Sequence, residues 1–457
     1  MFRRVLIANR GEIALRVIRA CHALGVEAIA VYSEADRDSP HLEAADHTVC
    51  IGPGPSGQSY LNADAILEAA LMMDAQAIHP GFGFLSENAL FAKRCEQQKL
   101  AFIGPRASSI RMMGDKATAR RVMREAGLPV MPGSKEILED VEEARERAEE
   151  LGYPVLLKAT AGGGGKGMRR CDDPSELEAA FKDASREAEK AFGNPDLYME
   201  KYIIGGRHIE FQVLADHYGN VIHLGERECS IQRNHQKLIE EAPATNFPDE
   251  TRQQIGETIR EAVRAIGYRN AGTIEFLMDH TGQLYFMEMN TRLQVEHPVT
   301  ELITGIDIVQ WQLRIAAGQP LTLAQEDISF SGHAIECRLN AEDPKQGFRP
   351  SPGTISTFAP PENSPAGPVR LDSHVTSGYA IPPYYDSMVG KLIVHAEDRD
   401  KAIARMSASL ADFTVEGVET TIPLHQAILE DGEFQQGGYT CQFLTQEGSV
   451  LERFTKG

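Results

Sequence analysis

The feature that most constrains the fold is an alternating run of polar and apolar residues between positions 288 and 296. Met289, Thr291, Leu293 and Val295 separate the polar positions. In an extended chain, side chains two positions apart point to the same side. We therefore predict an extended segment with one polar face, which carries Glu288, Asn290, Arg292, Gln294 and Glu296.

This polar face has the chemistry of a binding site. A solvated strand face, the alternative, normally carries Lys, Glu and Thr, whereas this one carries Asn, Gln and a single Arg. Such a row would be costly to bury without partners. Mg²⁺ takes one or two carboxylates together with phosphate oxygens, and the arginine fork suits a planar or phosphate-like anion. The run predicts a metal-bound phosphoanion at one end and a small carboxylate-like anion at the other.

A glycine-rich loop follows an apolar strand that contains Lys158. Backbone N–H groups of such a loop can surround phosphate oxygens. The loop is not a Walker A motif, because the closing Lys-Ser/Thr is missing. A flexible linker, the alternative, usually contains serine and follows no buried strand. We predict a phosphate-covering loop made of Gly162, Gly163, Gly164 and Gly165.

Composition and charge limit the possible functions of these 457 residues. The chain has 42% apolar and 25% charged residues, which is typical of a soluble globular protein of two to four domains. Its net charge of −20 argues against non-specific nucleic-acid binding. No run approaches the roughly 20 apolar residues of a membrane span. The seven cysteines show no metal-ligand spacing and suit a reducing cytoplasm.

Hydrophobic patterning predicts an α/β and α+β chain. Strands at 5–8 and 28–32 flank a helix at 13–24, and strands at 77–80 and 101–104 extend the same parallel sheet. The first strand–helix turn lacks GxGxxG, which argues against a dinucleotide site. Further predicted helices lie at 115–127, 141–151, 174–192 and 249–266, and further strands at 155–159, 210–215, 221–224, 273–278, 284–289 and 332–340. We divide the chain into units at 1–113, 114–329 and 330–446, with a tail at 447–457.

Three further residues or segments are candidates for the same site. Lys116, at a helix start, could be a second cation for a triphosphate beside Lys158, and Glu275 could share a metal with the Glu288 strand. The segment Cys229–Glu241 is dense in polar side chains, and alternation could place His235 and Lys237 on the same side. An exposed loop is the alternative for this last segment.

In their order and spacing, these segments resemble biotin carboxylase, the ATP-grasp component of biotin-dependent carboxylases, along essentially the whole chain. The matching stretches are Ile7–Ala14, His79–Glu87, Met113–Lys116, the glycine loop, Cys229–Glu241, Glu288–Pro298, Glu336–Pro344 and Pro382–Ser387. The resemblance implies an N-terminal pre-ATP-grasp (Rossmann-like) domain, an ATP-grasp domain with a mobile glycine-rich lid at about 130–203, and a C-terminal biotin carboxylase domain. Phe82 departs from the tyrosine of many relatives.

The resemblance also implies a role for each matching residue. Those implied to contact ATP are Lys116, Lys158, Gly162–Gly165, Glu200, Lys201, Ile203, His208, Gln232 and His235. Those implied to bind Mg²⁺ or Mn²⁺ are Glu275, Glu288 and Asn290. Those implied to hold bicarbonate are Lys237, Arg292, Gln294 and the backbone of Val295. Glu296 is implied as the general base, and Arg338 as the residue that faces the ureido oxygen of biotin.

The implied activity is that of a ligase that uses ATP and bicarbonate to carboxylate biotin through carboxyphosphate. No Met-Lys-Met biotin-acceptor motif occurs. We therefore expect a biotin carboxyl carrier protein and a carboxyltransferase on other chains, or a fragment of a longer protein, and we expect a homodimer. The final acceptor is left open among acetyl-CoA, as in fatty acid biosynthesis, other acyl-CoAs, pyruvate and other oxoacids, because the carboxyltransferase selects it.

Two other functions would share part of this pattern. Another ATP-grasp ligase would carry a similar glycine loop and similar metal carboxylates, but Arg292–Glu296 and Arg338 favour biotin carboxylase. An idle regulatory subunit should have lost Glu296, Arg292 or Lys237, and all three are present. For Arg338 alone, the alternative is a structural ion pair with Glu336 or Glu342.

Overall fold

The N-terminal part of the computed structural model is a parallel sheet with helices on both faces. The structure describes residues 1–134, 137–160, 167–361 and 367–456. The strand order is β3-β2-β1-β4-β5, and every pairing is parallel, as predicted. The elements are β1 (Arg4–Ile7), α1 (Gly11–Ala23), β2 (Glu27–Tyr32), β3 (His47–Cys50), α2 (Ala63–Met72), β4 (Ala77–His79), α3 (Ala89–Gln97), β5 (Ala101–Phe102) and α4 (Ala107–Gly114).

Burial on both faces explains why β1 is continuously apolar. Val5 and Ile7 pack with α1 on one side, and Leu6 packs with α2 and α3 on the other. Strands that are covered on both faces read as unbroken apolar runs. The predicted apolar stripe of α1, which includes Ile13 and Val17, is buried against the same sheet.

The next segment forms a small antiparallel sheet packed against two helices. Its strand order is β7-β6-β8, and α6 and α7 share an apolar core with it. The strand that carries Lys158 has the predicted bounds. The elements are α5 (Lys116–Glu125), α6 (Val141–Leu151), β6 (Val155–Ala159), β7 (Met168–Cys171), α7 (Leu177–Phe192) and β8 (Leu197–Lys201).

An eight-stranded antiparallel sheet forms the centre of the molecule, in the order β13-β12-β9-β10-β11-β14-β19-β18. Its first part consists of β9 (Arg207–Ala215), β10 (Val221–Arg233), β11 (Gln236–Ala242), α8 (Asp249–Ala265), β12 (Asn270–Met278), β13 (Leu284–Asn290), α9 (His297–Thr304) and α10 (Ile308–Ala316). Pairing of β11 with β14 places Glu240 opposite Glu336. The sheet therefore runs without a break past residue 330.

The remaining elements complete this sheet and cover it with helices. They are β14 (His333–Asn340), β15 (Glu342–Asp343), β16 (Arg349–Pro350), β17 (Thr357–Ala359), β18 (Val369–Asp372), β19 (Met388–Ala396), α11 (Arg399–Ala411), β20 (Thr414–Glu416), α12 (Ile422–Leu429), α13 (Gly432–Gln436) and α14 (Val450–Lys456). Residues of α11 and α12 share the largest apolar core with β14 and β19. Among the described ranges, no helix has both the length and the apolarity that crossing a membrane requires.

One local prediction was wrong, and one alternative that the sequence left open is excluded. The alternating run is a strand only as far as Asn290, which lies opposite Thr273 at the end of the ladder. Beyond it the chain turns, and Glu296 becomes the N-cap of α9, where Pro298 suits the first helical turn. The exposed-loop alternative for Cys229–Glu241 is also wrong, because β10 and β11 form a hairpin there.

Candidate active site

One cavity of about 1450 Å³ collects residues from all three predicted units. Its lining extends from Phe82 and Glu87 in the N-terminal part, past Ser387 near β19, to Thr445 after α13. All predicted site residues within the described ranges lie on its wall: Lys116, Lys158, Glu200, Lys201, Ile203, His208, Gln232, His235, Lys237, Glu275, Glu288, Asn290, Arg292, Gln294, Val295, Glu296 and Arg338. The predicted glycine loop, Gly162–Gly165, lies outside the described residues.

Carboxylates on two neighbouring strands supply the donors that Mg²⁺ prefers. Glu275 on β12 lies opposite Glu288 on β13, and Nδ2 of Asn290 donates to Oε1 of Glu275 over 2.7 Å. Burial, and then the charge of Glu275, raises the pKa of Glu288. A divalent cation held by these oxygens would offset the repulsion between the two carboxylates. The three residues therefore fit Mg²⁺ or Mn²⁺.

The predicted phosphate-binding lysines lie near acidic partners. Lys158 on β6 forms an ion pair with Glu200 on β8. Arg120 on α5 contacts the other oxygen of the same carboxylate at 2.8 Å. Lys116 begins α5, close enough for its charge to favour the ionised form of Glu288. These cations suit the charge of a triphosphate.

The side chain of Lys201 has a structural partner in addition to its place on the wall. Its Nζ donates to the carbonyl oxygens of Gly152 and Tyr153, at 2.8 and 2.9 Å. These contacts attach the end of β8 to the chain that enters β6, and Ile203 follows on the cavity wall. The side chain of Lys201 thus shapes the cavity wall beside Ile203 by holding the backbone carbonyls of Gly152 and Tyr153.

A tight turn between β10 and β11 positions the next group of polar residues. Asn234 and His235 have φ values of 48° and 67°, and a two-residue hairpin turn with positive φ at both positions matches the twist of its strands. The register places Gln232 opposite Lys237. His235 therefore belongs to the turn itself, and the predicted alternation from His235 to Lys237 does not extend through a strand. All three side chains reach the cavity.

Arg292 is held by acceptors on three sides. Its Nε donates to Oε2 of Glu87 over 2.9 Å, and its guanidinium also donates to the side-chain oxygens of Gln294 at 2.7 Å and Asn290 at 3.3 Å. Glu87 also accepts from the backbone N–H of Thr291. The N-terminal part of the chain thus orients the guanidinium that the sequence predicts for a small anion.

Glu296 lies between two cations, although the strand ends six residues before it. Lys237 on β11 donates to its Oε1 over 2.6 Å, and Arg338 on β14 donates to its Oε2 over 2.9 Å. Burial alone would raise the pKa of Glu296, but the charges of Lys237, Arg338 and Arg227 hold it well below its ordinary value. The carboxylate is therefore anionic and oriented, as a proton acceptor must be.

The second partner of Arg338 is Glu240, whose Oε1 accepts from Nε over 2.6 Å. The predicted alternative partners, Glu336 and Glu342, make no hydrogen bond with Arg338 within the described ranges. Burial raises the pKa of Glu240 to about 7. The charge of Arg338 opposes this rise in pKa, and the charge of Glu296 adds to it. Arg338 therefore links a buried acid to the proposed base at the edge of the cavity.

Comparison with known proteins identifies the family. Residues 1–110 match the family described as "Biotin carboxylase, N-terminal domain", residues 115–324 match "Carbamoyl-phosphate synthase L chain, ATP binding domain", and residues 336–446 match "Biotin carboxylase C-terminal domain". Biotin carboxylase 1 of Bacillus subtilis is 54% identical over 97% of this chain and 98% of its own length. The chain belongs to the biotin carboxylase family.

Two solved biotin carboxylase structures are similar over nearly their whole length. The biotin carboxylase domain dimer of Hydrogenobacter thermophilus 2-oxoglutarate carboxylase, in complex with MgADP, ADP and bicarbonate, is 52% identical, with a TM-score of 0.93 and 99% coverage of both chains. The Campylobacter jejuni enzyme, in a β-γ-ATP complex, is 50% identical, with a TM-score of 0.92 and coverage of 97% and 98%. The predicted family, ATP-grasp fold and activity are confirmed. The protein is a ligase that carboxylates biotin with ATP and bicarbonate.

Several acidic residues of this biotin carboxylase site escaped the sequence analysis. Glu210 accepts from Lys237 at 2.6 Å and from Arg227 at 2.5 Å, and Glu240 and Glu87 hold the two arginines described above. Alternation marked Glu210 as part of a strand, but an acidic residue in a strand usually indicates a solvated face. Only the pairing of distant strands shows that Glu210 and Glu240 are buried beside cations, whereas Glu87 is an exposed turn residue that meets Arg292 at the cavity wall.

Proposed function

We propose that the cavity activates bicarbonate and carboxylates biotin carried by another chain, with Glu296 as the general base. The observation that carries this proposal is the position of the Glu296 carboxylate between Lys237 and Arg338. The two cations lie on different strands of one sheet, so the carboxylate is fixed from two directions. It also lies within the wall shared with the metal-binding carboxylates.

In the first step, Glu296 removes the proton of bicarbonate. Arg292, Gln294, Lys237 and the backbone of Val295 would hold the bicarbonate, because cations and amide donors suit a small planar anion. The deprotonated oxygen then attacks the γ-phosphorus of ATP, which yields ADP and carboxyphosphate. Positioning and charge neutralisation supply most of the rate in such a transfer.

Lys116, Lys158 and the Gly162–Gly165 loop would hold the phosphates of ATP during this step, with His208, Gln232 and His235 near the ribose and phosphates. Glu200, Lys201 and Ile203 would line the adenine pocket. Glu275, Glu288 and Asn290 would hold Mg²⁺, which would neutralise charge on the phosphate oxygens when bound. Displacement of Lys158 from Glu200 by a phosphate would release the lysine for this role.

In the second step, carboxyphosphate releases CO₂ beside the ureido group of biotin. The ureido nitrogen is a weak nucleophile. The phosphate released together with CO₂ takes the proton of this nitrogen, negative charge develops on the ureido oxygen, and the nitrogen then forms its bond to the carbon of CO₂. Arg338 faces the cavity beside Glu296, and its guanidinium would stabilise that charge. Exclusion of water protects the labile intermediate.

The proposal extends to the organisation and partners of the enzyme. We assign domains to residues 1–113, 114–329 and 330–446, with a lid at about 130–203 and a tail at 447–457. A biotin carboxyl carrier protein and a carboxyltransferase on other chains would deliver biotin and use carboxybiotin. The related Hydrogenobacter thermophilus domain is a dimer, which supports a homodimer here. We place the enzyme in the cytoplasm.

The experiment is phosphate release from ATP, measured with and without bicarbonate and with free biotin. We expect slow cleavage that requires bicarbonate and increases with biotin. Glu296→Gln should reduce the bicarbonate-dependent rate by about 10²–10⁴-fold, the usual contribution of a general base. Glu250→Gln, an exposed residue of α8, is the matched control and should leave the rate unchanged. Equal phosphate release with and without bicarbonate would refute the proposal.

A further inference from the structure

A fully buried lysine lies directly behind the segment that carries Glu296. The Lys391 side chain on β19 is 0% exposed, and its Nζ donates to the carbonyl oxygen of Val295 over 2.8 Å. Lys391 lies opposite Arg338 in the β14–β19 ladder, and directly opposed residues project from the same face of a sheet. One strand thus holds the Glu296 carboxylate, and its neighbour holds the carbonyl of the preceding residue.

Acidic residues from two other elements surround the Lys391 ammonium. Glu12 on α1 is 3.2 Å from Nζ, and Asp372 on β18 is 3.9 Å from it. Burial lowers the pKa of Lys391, but the charges of Glu12, Glu336 and Asp372 more than compensate and raise it. The lysine therefore stays charged, and a charge-assisted hydrogen bond to a carbonyl is roughly twice as strong as a neutral one.

A stabilising role alone is a poor explanation for this arrangement. Removing a lysine and a carboxylate from water costs free energy that their mutual attraction often fails to recover, and apolar residues of similar volume commonly serve stability as well. Apart from the contact of Oε1 with Nζ of Lys391, the oxygens of Glu12 are buried without a partner among the described residues. The ammonium group of Lys391 holds the Val295 carbonyl, which an apolar side chain could not do.

We propose that Lys391 is a positioning residue for bicarbonate activation, and that Glu12 assists it from the N-terminal part of the chain. The peptide group between Val295 and Glu296 is planar, so a fixed carbonyl also fixes the direction of the Glu296 N–H and the start of its side chain. The inference rests on the proposed role of Glu296 as the base and of the Val295 backbone in holding bicarbonate.

The expected defect is specific to one substrate. The described contacts of Lys391 reach Val295, Glu12, Asp372 and the ring of Phe82, and none of these is among the residues proposed to hold ATP. Loss of the ammonium should therefore displace the base and the bicarbonate while leaving the nucleotide wall in place. A misplacement of about 1 Å can reduce a rate by about 10²-fold.

The test uses Lys391→Met, which keeps the length of the side chain but removes the charge, and Glu12→Gln. We expect kcat/KM for bicarbonate to fall about 10–100-fold in Lys391→Met and a smaller fall in Glu12→Gln. KM for MgATP should stay within about twofold in both variants. Arg252→Met is the matched control, because Arg252 is a buried cation paired with Glu226 at 2.6 Å outside the cavity lining. It should lower the melting temperature without changing KM for bicarbonate.

The outcomes separate this inference from the proposed function. If Glu296→Gln lacks activity while Lys391→Met and Glu12→Gln keep the wild-type KM and kcat for bicarbonate, only the positioning role is overturned. If Glu296→Gln itself keeps full activity, the proposed function fails. If kcat/KM falls equally for bicarbonate and for MgATP, in proportion to the loss of folded protein, the positioning role is also overturned. If Lys391→Met does not fold, Glu12→Gln decides by the same criterion.

Discussion

Replacement of Arg338 by glutamine should separate the two half-reactions. The guanidinium donates to Glu240 at 2.6 Å and to Glu296 at 2.9 Å, and a hydrogen bond to a charged group contributes about 1.5–3 kcal/mol. Loss of both would leave two buried carboxylates with fewer partners. The pKa of Glu240 is already raised to about 7, first by burial, so this acid can take up a proton and reduce the cost. We expect a net destabilisation of about 1–3 kcal/mol.

The catalytic effect should be larger on one step than on the other. Carboxybiotin formation should fall about 10²–10³-fold, because the ureido oxyanion loses its donor. Lys237 still holds Glu296 in the variant, so bicarbonate-dependent ATP cleavage without biotin should fall about tenfold or less. The melting temperature, biotin-independent ATP cleavage and carboxybiotin formation should be measured on one preparation.

Arg399→Gln provides the matched control. Arg399 donates to both oxygens of Glu241, the β11 neighbour of Glu240, at 2.7 and 3.1 Å, but it does not line the cavity. This variant should lose stability while its ratio of carboxylation to ATP cleavage stays at the wild-type value. An unchanged ratio in Arg338→Gln would show that Arg338 is a structural ion-pair residue and would refute the biotin-site reasoning.

Three further predictions follow from neighbouring contacts. Glu288→Gln should slow MgATP turnover, because the transition state loses several kcal/mol of stabilisation, while the melting temperature changes little. A near-normal dependence of the variant on Mg²⁺ would contradict the metal assignment. Glu87→Gln should raise KM for bicarbonate several-fold by releasing Arg292, and an unchanged KM would contradict that role. Burial would raise the pKa of Glu241, but His333 and Arg399 hold it at about 2. Its contribution of about 3 kcal/mol should be present above pH 4.5 and lost as the pH falls towards 2, so urea unfolding of Glu241→Gln and wild type should converge there.

Local pattern was enough to predict the main strands and helices up to residue 340, but it predicted no element beyond it and missed α2 and α3. The unbroken apolar run of β1 and the helical spacing of α1 indicated a parallel sheet, because burial on both faces leaves no polar positions in a strand. The strand with Lys158 and the helix at 141–151 have the predicted bounds. The run from Glu288 to Glu296 correctly indicated residues that share one cavity, although only its first part is a strand.

Long-range strand pairing decided what local pattern could not. The β11–β14 pairing joins segments nearly one hundred residues apart and places Glu240 beside Arg338. Glu87 reaches Arg292 across 205 positions of the chain. An isolated acidic residue has the same appearance in the sequence whether it is solvated or buried beside a cation, so its role depends on which strand becomes its neighbour.

The sequence by itself therefore determined the family, the main elements up to residue 340 and the chemical types of residue in the site. Side-chain periodicity and short motifs depend on neighbours within a few positions, and these are visible in the chain. Tertiary structure alone decided that Arg338 and Lys391 are cross-strand partners that hold Glu296 and the carbonyl before it. Register is a property of two strands together, and a shift of one residue in either strand would turn the side chain of that strand to the opposite face.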